Sequence, residues 1–435
     1  MTQPIVKSMS SEEIRQQREE MELKAELKAL EPISFEEFDK IVHEWILLTD
    51  TGIIKLLAAV VIANRFKGRD PVWAMIIGPS GGGKTELLSM LFNLTDIYPI
   101  SLLTPNTLLS GMPGLKDNSL LPQISGKTIV FKDWTNILSQ NKDSRNEILG
   151  QLREVYDGHM KKPFGNGRVA EWKGKIGLIA GVTPAYDLSQ QMHATLGERF
   201  INYRVIMPNR KEAGRRALSN GPKQEEMRRV LKNAFYAFMK GIEIPKEESK
   251  LPEEVKEELI SVANFSTMAR SGVIREFSYK REVIFVPAAE MPTRIVQALA
   301  ILASAITVIN KGIFNKEDIN IIYRVALDSI PQTNYMVIKE MARGDERTTA
   351  EIATDIGYPT SPVRMYLENL ALLGVSKRIK GSESEEGGSA DKWTLDPEFK
   401  EIVQRYEEIK IIEAEVAIEK EKEIELDSDP EGLFN

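Results

Sequence analysis

The sequence predicts an α/β fold: a parallel sheet covered by helices, then a helical region, then a small helix–turn–helix unit. Three observations carry this prediction. Apolar runs rich in β-branched residues at 72–77, 127–132, 177–182 and 200–206 alternate with helical patterns, and such alternation argues for a parallel sheet covered on both faces. Residues 291–312 carry an apolar stripe at helical spacing, and 316–330 read as another helix. Cap and turn residues punctuate 345–396 at the spacing of two short helices and two strands.

The elements follow in order. Residues 11–30 read as a charged helix whose apolar stripe is thin (Met21, Leu23, Leu27, Leu30), an arm that is solvated or partly docked. Residues 34–66 read as two helices; Ser34 and Glu37 have capping-box spacing at the first. The second is strongly apolar and is expected to pack on the sheet. A strand at 72–77, a glycine loop and a helix at 85–92 come next. Another helical pattern covers 144–156. Residues 209–290 read as mostly helical and charged, 381–390 as a flexible loop, 397–426 as a lone charged helix and 427–435 as a disordered end. The expected division is an arm (1–33), a core (34–208), a helical lid (209–340), the small unit (345–396) and an acidic tail (397–435).

Composition narrows the function classes. The chain has no cysteine, which excludes disulfides, thiolate metal sites and a cysteine nucleophile. Its three histidines, His43, His159 and His193, show no metal-ligand spacing. The start of the chain lacks the apolar segment of a signal peptide, and no run of about 18 apolar residues occurs, so a cytoplasmic protein away from membranes is expected. The net charge of −7 is concentrated: residues 401–435 hold 12 acidic and 4 basic side chains, and the rest is close to neutral. Such a body can still present basic patches to nucleic acid.

The glycine loop is the most specific motif. Gly78-Pro79-Ser80-Gly81-Gly82-Gly83-Lys84-Thr85 matches G-x-x-x-x-G-K-[ST], with a predicted strand before it and a helix after it. In that context glycines let backbone N–H groups curl around phosphate oxygens. Lys84 supplies a charge for the β- and γ-phosphates, and the Thr85 hydroxyl suits Mg²⁺. The expected ligand is ATP with Mg²⁺. Asp133, at the end of the 128–133 run, is the candidate second Mg²⁺ ligand. Trp134 stands where many ATPases place a catalytic glutamate. Either another carboxylate serves, with Glu154 and Asp157 as candidates, or hydrolysis is slow and the protein is a switch.

These parts resemble AAA+ ATPases over roughly 70–330. Thr183, after the 177–182 run, resembles the polar "sensor 1" residue. Leu196-Gly197-Glu198-Arg199-Phe200 resembles the segment that supplies an arginine finger to a neighbouring subunit, which makes Arg199 the candidate and Arg204 the fallback. Pro292-Thr293-Arg294-Ile295 resembles the "sensor 2" segment, with Arg294 as its arginine. Within the family the sequence is similar to the helix-insert group that includes minichromosome maintenance helicases, and its layout resembles ATPases of phages and mobile elements. That group places a DNA-touching hairpin just before the sensor 1 strand; here the matching residues are Lys161, Lys162 and Arg168. The group's amino-terminal DNA-binding domain and zinc site are missing. The resemblance implies ATP bound between subunits of a homo-oligomer, a six-membered ring.

The unit at 348–381 resembles a winged helix–turn–helix. Thr348 or Thr349 caps its first helix, Gly357 closes it, and Ser361 with Pro362 opens the second. Val363, Leu367, Leu370 and Leu373 form the buried stripe, and 375–380 pairs with 391–395 as a hairpin. Thr360, Ser361, Arg364 and Met365 are candidates for DNA contact, with Lys377, Arg378 and Lys380 on the wing. A winged helix used only for protein contacts is the alternative. The acidic tail can mimic nucleic acid, or recruit a replication protein through 429–435. The function expected is ATP-driven work on DNA, as a replicative helicase or remodelling motor of a phage or mobile element. A helicase loader or initiation switch, and an ATP-gated transcriptional regulator or scaffold, are the alternatives.

Overall fold

The computed structural model describes residues 11–50, 52–110, 119–188, 199–206, 210–245, 250–276, 281–381 and 390–427. Its helices are α1 (Ser11–Ala29), α2 (Phe35–Trp45), α3 (Gly52–Arg65), α4 (Lys84–Ser89), α5 (Leu120–Ile124), α6 (Thr135–Leu138), α7 (Lys142–Tyr156), α8 (Arg210–Asn220), α9 (Gln224–Lys240), α10 (Glu253–Arg270), α11 (Thr293–Ile309), α12 (Ile319–Asp328), α13 (Gln332–Ala342), α14 (Thr349–Ile356), α15 (Thr360–Leu372) and α16 (Pro397–Asp427). The strands are β1 (Trp73–Ile77), β2 (Ile97–Ile100), β3 (Thr128–Phe131), β4 (His159–Pro163), β5 (Val169–Lys173), β6 (Gly177–Val182), β7 (Phe200–Arg204), β8 (Ile274–Arg275), β9 (Val283–Phe285), β10 (Arg347–Thr348), β11 (Ser376–Ile379) and β12 (Lys392–Leu395).

Five strands form an all-parallel sheet in the order β2-β3-β6-β1-β7. The apolar runs form strands because both faces of the sheet are covered. Ala74 and Ile76 of β1 join one core with α3; Trp73, Met75 and Ile77 join a second core with α7. α3 is buried along nearly its whole length between the sheet and α11. The edge at β7 is closed by side chains as well as by a helix. α12 lies along it, and the N–H groups of Asn202 and Arg204 donate to Ser329 Oγ and Asp328 Oδ2 at 2.9 and 2.8 Å.

The small unit forms much as the cap residues predict. Thr348 and Glu351 make a reciprocal capping box, and Gly357 and Gly374 take φ of +73° and +78° at the helix ends. Val363, Leu367, Leu370 and Leu373 are buried. β11 and β12 form the predicted hairpin, and β10 adds a third strand. α15 starts two residues earlier than expected: Pro359 is the N-cap, and Thr360 rather than Pro362 is the first helical residue.

Three expectations are corrected. β2 was unpredicted because a four-residue edge strand containing Pro99 gives little periodicity. A hairpin, β8–β9, interrupts the region read as mostly helical. Most consequentially, the helix after 397 is not a lone charged helix in its first half. Phe399, Ile402, Val403, Tyr406, Ile409 and Glu413 are buried against α10, α12 and α13. Residues 428–435, where a partner motif was read, lie outside the described residues, as do 196–198 and 382–389. The arm α1 docks near its end, through buried Leu27, a Glu26 carboxylate that meets Arg229 and Asn233, and the Lys28 carbonyl, which accepts from the Lys240 ammonium at 2.9 Å. Among the described residues no helix is long and apolar enough to cross a membrane.

Candidate functional site

The strand order brings three predicted residues to one edge. At the carboxyl ends of adjacent strands, β3 runs into Asp133, β6 into Thr183 and β1 into the glycine loop. Backbone bonds fix this alignment: Gly78 N–H donates to the Val182 carbonyl at 3.1 Å, and Trp134 N–H to the Gly181 carbonyl at 2.8 Å. Ligands of open parallel sheets bind at such edges.

The loop has a concave shape that only glycines allow. Gly81 and Gly83 take φ of +75° and +73°, and a Cβ on either would enter open space. Lys84 is buried, and its ammonium donates to the carbonyls of Gly78 and Pro79 at 2.6 and 2.7 Å. Burial pushes its pKa down, and the Asp133 carboxylate opposes that shift. A desolvated cation of this kind favours an entering anion. Thr85 and Asp133 are exposed to solvent at the same place. The Asp133 carboxylate accepts from Thr135 N–H at 2.9 Å, which orients it.

A cavity of about 570 Å³ opens in front of the loop, within the range of small-ligand sites. One wall is Ile46, Leu48, Val205 and Ile206; Ala217 and Met227 of α8 and α9 face it. Glu86, just inside α4, is held by a two-point pair with Arg228 at 2.6 and 2.9 Å, which ties the loop's helix to α9. Sequence reasoning missed these wall residues. They are ordinary apolar side chains from distant segments, and only the fold brings them together.

Trp134 is 1% exposed and packs edge-on against Phe131 and Phe200, with ring centroids 5.0 and 5.5 Å away. The position that could hold a glutamate beside Asp133 therefore belongs to the core. Glu154 and Asp157 do not replace it. The end of α7 packs at the opposite, amino edge of the sheet: Tyr156 meets Trp73, the first residue of β1, and Asp157 pairs with Arg199. A five-residue strand spans about 16 Å, so both carboxylates are far from their own chain's loop.

Arg199 and Arg294 stand at that amino edge too. Arg199 directly precedes β7, pairs with Asp157 at 3.2 Å and lies over the Tyr156 ring. Arg294 opens α11 and pairs with Glu290 at 3.4 Å. Burial pushes the Tyr156 phenol up to about 12, with both arginines opposing it, so the two cations share one neighbourhood. Neither reaches its own loop. Arg204 is at the loop's edge but is committed to the fold, donating to both Asp187 oxygens and to the Asp328 and Ile330 carbonyls.

The DNA candidates divide. On the β4–β5 hairpin Lys161 and Arg168 are exposed, whereas Lys162 turns inward. Its ammonium donates to the Pro105 carbonyl at 2.6 Å and meets Glu147 at 3.1 Å, so it braces the hairpin on the body. Strand alternation accounts for the difference, since neighbours on a strand face opposite sides. In the small unit Thr360, Ser361, Lys377 and Lys380 are exposed. Arg364 meets Glu368 at 3.1 Å, and Arg378 is clamped by Asp391.

No protein-family model matches the chain, and no curated protein matches it in sequence.

Proposed function

We propose that this chain is an ATPase of the AAA+ type that acts on DNA as a homo-oligomer. The observation that carries the reading is the alignment of Asp133, Thr183 and the glycine loop on three adjacent strand ends, with the loop lining the cavity. The residues fit a nucleoside triphosphate with Mg²⁺. Among the described residues no three histidine or carboxylate side chains gather to hold a metal; Mg²⁺ at such sites is held by one or two protein oxygens plus phosphates and water. Asp133 and Thr85 would hold it, and it would supply charge neutralisation at the β- and γ-phosphates. Lys84 binds the same phosphates, Thr183 orients the γ-phosphate side, and the apolar walls take the base and exclude water.

Arg199 and Arg294 support an assembly. Both lie at the edge away from their own loop, on a face that a head-to-tail neighbour would place against its ATP. A cytoplasmic ring of six such subunits is the arrangement this reading favours. The small unit supports the DNA reading through its helix–turn–helix–hairpin order, which is that of a winged helix, and through exposed Lys377 and Lys380; exposed Lys161 and Arg168 on the β4–β5 hairpin add to it. Trp134 favours a second reading. With the core occupying the usual place of the base, slow hydrolysis and a loader or initiation switch follow.

ATP hydrolysis with and without single-stranded DNA, together with strand displacement, tests the choice. The motor reading expects DNA-stimulated hydrolysis that Lys84→Ala abolishes. Tight ATP binding without stimulation would leave the switch; no ATP binding would end both readings.

A further inference from the structure

The cavity wall continues into a buried network of charge that the proposed chemistry does not use. Arg324 of α12 is fully buried and faces three carboxylates. Its guanidinium pairs with Asp50 at 3.2 Å and Asp328 at 3.5 Å, contacts Glu413, and lies over the Tyr203 ring at 4.4 Å. Asp50 is the hub on the cavity side. One oxygen accepts from Gly52 and Ile53 N–H at the start of α3 and from the Tyr203 hydroxyl. The other accepts from Ile206 N–H at 2.9 Å. Thr49 Oγ1 donates to the Ile206 carbonyl at 3.1 Å. The two wall segments, 46–48 and 205–206, are therefore joined through Asp50 and Thr49.

Helix α16 closes this network from about 200 residues downstream in the chain. It contributes two groups. The Tyr406 hydroxyl donates to Asp328 Oδ1, and the other Asp328 oxygen accepts from Arg204 N–H at 2.8 Å, directly before wall residue Val205. Glu413 accepts from Arg324, which holds Asp50 and so Ile206. Two separate relays, each with few intermediates, run from α16 to residues 204–206. Neither α16 group lines the cavity.

We propose that docking of α16 sets the affinity of the nucleotide cavity, with Tyr406 and Glu413 as positioning residues for its wall. This rests on the nucleotide reading of the site. Buried charged networks hold geometry when every member is paired and lose it when one leaves. With α16 docked, segments 46–50 and 204–206 are held at one separation; with α16 released, Asp328 and Arg324 lose a partner each and the wall relaxes. Linkage then requires the reverse effect: a ligand that needs the ordered wall must strengthen the docking of α16.

The test uses the full chain and a fluorescent ATP analogue with Mg²⁺. The Tyr406→Phe/Glu413→Leu double variant removes both hydrogen-bonding groups at little change in volume and is expected to bind the analogue about tenfold more weakly, within the usual span of coupling between sites. Hydrogen exchange on the unmodified chain needs no variant. Amides of 402–413 should exchange about tenfold more slowly with the analogue bound, and Lys84→Ala should remove that protection. The proposal is overturned if the unmodified chain binds the analogue but the double variant binds equally well, or if exchange in 402–413 does not respond. Failure of the unmodified chain to bind the analogue overturns the nucleotide reading itself, and this proposal with it.

Discussion

The two edges of the central sheet carry the same kind of residue in opposite conditions. At the carboxyl edge Lys84 donates to loop carbonyls, Thr85 lines an open cavity, and Asp133 faces solvent at the end of its strand. At the amino edge Arg199 and Arg294 already have carboxylates of their own chain, Asp157 and Glu290. One edge is arranged to receive a ligand within a single chain. The other is satisfied at rest, and its arginines become useful only if a neighbour offers something more negative. On the proposed function, the difference teaches that a single chain would hold half of two active sites.

Mixing variants breaks or sharpens this contrast with the largest effect. Lys84→Ala and Arg199→Ala should each lower ATP hydrolysis by roughly a thousandfold or more, the usual worth of such groups. Arg199→Ala should retain nucleotide binding. Mixed in equal amounts, the two inactive proteins should regain activity, with about a quarter of sites intact in a head-to-tail ring. Hydrolysis that stays absent in the mixture would mean that Arg199 works within its own chain or not at all.

Stability separates the edges next. The Arg199–Asp157 pair is exposed on its acidic side, so Arg199→Ala should shift unfolding by less than about 1 kcal/mol. Arg324→Leu, behind the cavity wall, strands buried carboxylates and should cost about 3–5 kcal/mol in denaturant titration. Equal costs would contradict the division between a poised edge and a structural wall.

A third prediction concerns pH. Burial raises the Glu413 carboxyl to about 7, aided by Asp50 and Asp328 and opposed by Arg324. Tyr203, Tyr406, Lys410 and Arg204 are further titratable or charged groups around this network. The carboxyl is raised in the docked state, so docking is strongest at low pH. It weakens as pH rises from the ordinary carboxylate range to about 7, by at most about tenfold per unit, and levels off above. Limited proteolysis or exchange of α16 between pH 5 and 8 should follow that course, and Glu413→Gln should flatten it.

Local signals account for what the sequence made legible. The loop is legible because eight consecutive residues carry it, and the start of α14 because Thr348 and Thr349 are good caps, although only the structure chooses Thr348. Four of the five core strands are legible because burial on both faces leaves continuous apolar runs. β2, a half-exposed edge strand that contains Pro99, has no such run. The role of Glu413 was illegible for a different reason: in sequence it is one more glutamate in an acidic helix, and only the fold sets it against Arg324. Trp134 was read as a missing base, whereas the structure makes it a core aromatic. Glu154 was proposed from nearness in sequence, which says nothing about which end of a helix faces the loop.

The smallest effect tests the small unit. Arg364 is half exposed but already meets Glu368, and lies near Asp391, which also clamps Arg378. Contact with a DNA phosphate must exchange those carboxylates for phosphate, so much of the electrostatic gain is offset. Arg364→Ala should therefore weaken duplex binding only several-fold at low salt and reduce the salt slope by about one ion. Lys377→Ala, at an exposed lysine on the wing, should weaken binding at least as much. A loss far larger for Arg364 would point to base readout, since phosphate contact to a paired arginine cannot supply it. No change for either variant would move the unit to protein contacts and leave the β4–β5 hairpin, with Lys161 and Arg168, to hold the nucleic acid.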